Sequence, residues 1–179
     1  MNTLTALLHP GELLHPQRRY RLACEHIALA VEHDRRWNPA LTASLQDGAR
    51  NVTQAVDELR RAAQDECATR AAHAVVEIAV AAIRLAAELP DPLRLSLDQS
   101  YAVVRQNAWA DLQGDLEEHR RSWASLHEGL GVIVEHEFTL ADAATGGDLN
   151  RVHLAAIWVA AMCIRYLGEL APEESHRAA

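Results

Sequence analysis

Lysine is absent from this chain, and all 17 basic side chains are arginine. Set against 25 Asp and Glu, they leave a formal net charge of −8. A nonspecific nucleic-acid binder needs a basic footprint, so nucleic acid is not expected as a partner. Aromatics make up 4%, and phenylalanine occurs once. With Ala and Leu dominant, that scarcity favours close-packed helices over sheets. Cysteine occurs at Cys24, Cys67 and Cys163, never as Cys-x-x-Cys. A set so scattered and odd in number argues against a disulfide framework and a thiolate zinc site, and it fits a reduced compartment. No basic stretch precedes the first apolar residues, so no signal peptide is expected. The longest apolar run, Leu154–Ile164, has about 11 residues where a membrane span needs about 20. A cytoplasmic protein without a membrane segment is the expectation.

What the chain does have is a repeat. Ala43-Ser44-Leu45-Gln46-Asp47-Gly48 returns 81 positions later as Ala124-Ser125-Leu126-His127-Glu128-Gly129. Tyr20 and Tyr101, Asp34 and Asp115, Arg84 and Arg165, and Glu88 and Glu169 share that offset. Laid on 101–170 without a gap, 20–89 gives 16 identities. The pattern reads as a tandem duplication of one three-helix unit. The expected fold is all-α, with the second and third helices of both units forming a pseudo-twofold four-helix core and the first helices flanking it.

The expected division is an N-terminal arm over 1–19, a first repeat over 20–89, a linker over 90–100, a second repeat over 101–170 and a tail over 171–179. The arm holds Pro10 and Pro16 and has room for one short helix. The linker carries Pro90 and Pro92, which stop the preceding helix. Helices are expected over Arg19–Arg36, Leu41–Glu66, Thr69–Leu89, Leu97–Arg121, Ser122–Ala144 and Leu149–Leu170. Leu45, Ala49, Val52, Val56, Leu59 and Ala63 form an apolar seam at steps of four and three. Over Thr69–Leu89 only Arg70, His73, Glu77, Arg84 and Glu88 are polar or charged beyond the first residue, and they make one narrow stripe. Gly146-Gly147 stops the fifth helix, and Asp148 is placed to cap the sixth.

The second unit contains His127-Glu128-Gly129-Leu130-Gly131-Val132-Ile133-Val134-Glu135, and later Val159-Ala160-Ala161-Met162-Cys163-Ile164-Arg165-Tyr166-Leu167. These segments resemble the MazG-like, all-α nucleoside triphosphate pyrophosphohydrolase superfamily over about 50 residues. The resemblance implies a helical bundle whose carboxylates hold Mg²⁺ and whose substrate is a nucleoside triphosphate. The family's Glu-Glu-x-x-Glu motif falls here on Glu135, His136 and Thr139, and its Glu-x-x-Asp motif on Ala155 and Trp158. In the first unit the same positions are Gln54, Ala55 and Glu58, then Ala74 and Glu77. Neither unit keeps a full set of hard oxygen ligands. Pyrophosphohydrolase activity is therefore expected to be absent or very weak, unless Glu58 and Glu77 join Glu135 or Glu137 in one composite Mg²⁺ site.

Glu137 sits on an apolar face and requires a partner, a proton or a metal. Trp158, Arg151, Arg165 and His136 are the candidates for contacting substrate or an interface, because Trp and Arg favour both roles. Plainer readings stand beside these. Glu128, Glu135 and Asp142 recur every seven residues, as a solvated acidic stripe would. The competing function is a non-catalytic helical interaction protein that forms a homodimer through its helix faces. A third reading, a helical HEPN-like ribonuclease, rests on the Arg-x4-His spacing of Arg21 and His26. No catalytic residue is assigned.

Overall fold

The computed structural model describes residues 16–90 and 95–172. Among them are six helices: α1 Pro16–Trp37, α2 Leu45–Gln64, α3 Ala68–Glu88, α4 Leu97–Glu118, α5 Leu126–Gly146 and α6 Leu149–Leu170. No strand occurs among the described residues, so the all-α expectation holds. Each helix of the second half starts 81 residues after its counterpart. The arm before residue 16, the prolyl stretch 91–94 and the tail from 173 lie outside the described residues.

The strongest packing runs α2 to α3, α3 to α6, α6 to α5 and α5 back to α2. These four helices close a ring around one core. Gln46 donates to the Ala144 carbonyl and Thr53 to Glu137, so α2 and α5 run antiparallel. The outer helices α1 and α4 each lie across both α3 and α6. Alanines are frequent among the buried residues of α3 and α6, including Ala71, Ala79, Ala82, Ala156 and Ala160, and small side chains let two helix axes approach closely. α3 and α6 carry the most buried residues. α6 is long and apolar enough to cross a membrane, but most of it is enclosed by the other helices, as in the core helix of a soluble protein.

Local chemistry sets the ends. Ser44 and Ser125 accept from the backbone N–H groups of Asp47 and Glu128, three residues on. Ser96 and Gln99 form a reciprocal capping box at the start of α4. Gly147 closes α5 with φ of 70°, where a side chain would be strained, and Asp148 caps α6. The expected starts at Leu41 and Ser122 are too early. Residues 38–44 and 119–125 are not helical, because each stretch is held by a core arginine described next.

Candidate functional site

Arg84 projects from α3 toward the end of α1. It donates to Asp34, to Glu88 and to the carbonyls of Asn38 and Ala40. Arg165 makes the same four connections 81 residues later, to Asp115, Glu169, His119 and Arg121. Glu88 accepts from the Thr42 backbone, and Glu169 from the Trp123 backbone. The tyrosines cross between halves: Tyr101 donates to Glu88 and Tyr20 to Glu169. Arg165 is 2% exposed and Arg84 13%. Each arginine thereby ties an interhelical loop to the core with a planar, multi-donor fork that lysine could not reproduce.

Burial opposes the charge on Glu88, but hydrogen bonds from Tyr101, Thr42 and Arg84 outweigh it and hold its carboxyl below the usual range. Burial also works against the Arg165 cation, and Asp115 and Glu169 more than compensate. Both tyrosines are pushed upward, first by burial and then by the carboxylates they face.

These two networks frame two clefts at equivalent places. The first, between α1, α2 and α3, has a volume of about 710 Å³. Its polar wall includes His33, Asp34, Asp47, Asn51, Glu77 and Arg84, and its apolar wall Leu41, Val76 and Val80. In the second half the equivalent space is two cavities, of about 660 and 320 Å³, with His136 and Asp115 lining both. Trp158 stands where the first half has Glu77, Gly114 where it has His33, and Val132 where it has Asn51. Trp158 leans on His136 with ring centroids 6.1 Å apart.

The candidate metal ligands do not form one centre. Glu58 is held by Arg61 and Arg70 on the surface. Glu77 is exposed in the first cleft, and Glu135 is exposed at the edge of the second. Glu137 is 4% exposed, accepts from the Thr53 hydroxyl and lies 3.9 Å from Arg60. Among the described residues, no group of three or more His, Cys, Asp or Glu is arranged to hold a metal ion. Of the candidate contact residues, Arg151 pairs with Asp142 on the surface, and Arg165 is committed to its loop. His136 and Trp158 do come together in the second half.

Sequence reading had not singled out His33, Asp47, Asn51 or Arg121 as site residues. Its signal for the two arginine networks was present, since Tyr, Asp, Arg and Glu are polar identities of the repeat. It read the arginine and glutamate as parts of a polar stripe, whereas they point inward.

No family model, curated protein or solved structure gives a significant match to this chain.

The half-buried histidines give the fold a pH dependence. Burial lowers the pKa of His136, with Glu135 and Asp115 only partly offsetting it. His26 is lowered by burial and by His73. Both folded-state values lie below the unfolded one, so the unfolded chain takes up protons first as the pH falls. Stability is complete above about pH 6.5 and declines below it. Melting temperature should therefore fall between pH 7.5 and about 5.5, and His136→Gln should flatten that slope. An unchanged slope in the variant would remove His136 from the account. The depressed Glu88 adds a separate loss at lower pH, beginning as the pH falls through the ordinary carboxylate range and complete only below it.

Proposed function

We propose that this chain is a non-catalytic, helical small-molecule-binding protein, a divergent MazG-like relative whose working site is the cleft of the first half. One observation carries this reading. The cleft has the volume of a ligand pocket, and its wall mixes apolar surface with Glu77, a carboxylate that has no partner among the described residues. The neighbouring charged groups are already engaged, Arg84 by its loop, Asp34 by Arg84, and Asp47 by Ser44 and Arg50. Triphosphate chemistry needs several carboxylates around a hard cation, and the scattered positions of Glu58, Glu77, Glu135 and Glu137 do not favour it.

A ligand that binds the folded chain raises its melting temperature. Melting in the presence of nucleoside triphosphates with Mg²⁺, nucleosides, and small amines and acids should reveal stabilisation that Glu77→Trp, the residue of the second half, removes. Stabilisation unaffected by Glu77→Trp would move the site elsewhere.

A second reading, a helical interaction protein that forms a homodimer, draws support from Trp37 and Phe138, which are 70% and 65% exposed. Light scattering of the purified chain separates monomer from dimer. Three cysteines without disulfides agree with a reduced, cytoplasmic location.

A further inference from the structure

The two clefts share a frame but differ in how their acids are neutralised. In the second half, Arg121 lines the cleft and its guanidinium lies on Glu128, which also accepts from the Ala124 backbone. The residue equivalent to Arg121 in the first half is Ala40. Ala40 lines the first cleft and brings no charge to it. Asp47, the equivalent of Glu128, is held by Arg50 from its own helix, and Arg50 is not part of the cleft wall. Among the described residues, the only arginine in that wall is Arg84, already shared among Asp34, Glu88 and two carbonyls. Of the three carboxylates in the lining, Asp34 is paired with Arg84 and Asp47 with Arg50. Glu77 is the acid left without a cation.

We infer that the first cleft binds a small organic cation, an amidinium or guanidinium on an apolar body, at the carboxylate that no cation of the described residues engages. This rests on the binding reading above and names its ligand class. The cation pairs with Glu77, and the apolar body lies on the wall that includes Leu41, Val76 and Val80. A planar, weakly hydrated cation suits this place better than an ammonium, because its fork matches a carboxylate and its faces tolerate apolar contact. Anionic ligands meet an uncompensated carboxylate and are disfavoured.

Isothermal titration of the full chain with benzamidine, neutral benzamide and benzoate tests the inference. The three compounds share a ring and differ in charge. Benzamidine should bind at least about tenfold tighter than the other two, since charge complementarity sets the preference. Glu77→Gln should weaken benzamidine by about fivefold or more, the effect of one partly exposed charge pair. Ala40→Arg, which adds a guanidinium to the cleft wall, should weaken benzamidine through like-charge repulsion. Glu77 is exposed, so its variant keeps the test open even if Ala40→Arg fails to fold. Equal binding of benzamide, indifference to Glu77→Gln, or no benzamidine binding would each overturn the inference. If benzamidine fails while a nucleotide still stabilises the chain through Glu77, only the ligand class falls. If no compound stabilises the chain, the binding reading falls with it.

Discussion

Arg165→Met should cost about 3–5 kcal/mol of folding stability, the usual penalty for removing one partner of a buried ion pair. The reason lies in what is left behind. Glu169, 3% exposed, keeps only Tyr20 and the Trp123 backbone as donors. Asp115 loses its strongest contact, and the carbonyls of His119 and Arg121 lose theirs. The loop 119–125 then keeps Trp123 as its tie to α6 but loses the two carbonyl anchors. Set against a total stability of about 5–15 kcal/mol, such a loss brings the chain near unfolding at room temperature. Arg165→Lys should recover only part of it, because one ammonium cannot reach two carboxylates and two carbonyls at once. Arg84→Met should cost less, since Arg84 and Asp34 are 13% and 29% exposed and water replaces part of what is lost. Urea unfolding of the three variants measures the order. A loss below about 1 kcal/mol at Arg165 would reduce the network to surface ion pairing.

The second large effect is expected in the buried faces of α3 and α6. Ile83 on α3 and Ile164 on α6 occupy equivalent positions and are 2% and 3% exposed. Each replacement by Ala should cost about 2–5 kcal/mol, through lost transfer energy and the cavity left behind. The alanine-rich surroundings sharpen the effect. Short side chains cannot swing into a new void as longer ones do, so relaxation is limited. Similar losses at both positions would show that the two halves contribute alike to the core. A loss below about 0.5 kcal/mol at both would place them outside the stabilising core.

Much of the fold could be read from sequence because its signals are local or repeated. Gly147 with Asp148 marks the turn into α6, whereas sequence reading passes over the caps Ser44 and Ser125 and sets the starts of α2 and α5 too early. The 81-residue offset places all six helices in two sets. Glu137 shows where local reading stops. Its cost on an apolar face is visible in sequence, but Thr53, which meets that cost, lies 84 residues away on α2. The stripe of α3 shows the same limit. Arg84 and Glu88 turn inward to bind the 38–42 segment, while Glu77, on the same helix, opens into the cleft.

The cleft itself was hidden for a different reason. Comparison of the repeats highlights what the halves share, and the cleft is built from what they do not share. Glu77 against Trp158, His33 against Gly114, Asn51 against Val132 and Ala40 against Arg121 are all differences. These side chains come from three helices and one loop, so no single periodicity could gather them.

The central claim is binding without turnover, and a pyrophosphate-release assay tests it most directly. The purified chain is given each canonical nucleoside triphosphate with Mg²⁺ and then with Mn²⁺. The account predicts no release above the protein-free blank with either metal, because among the described residues Glu58, Glu77, Glu135 and Glu137 are not gathered into one group that could hold the ion. Robust release, abolished by Glu77→Gln, would contradict it and establish a metal-dependent active site at the first cleft.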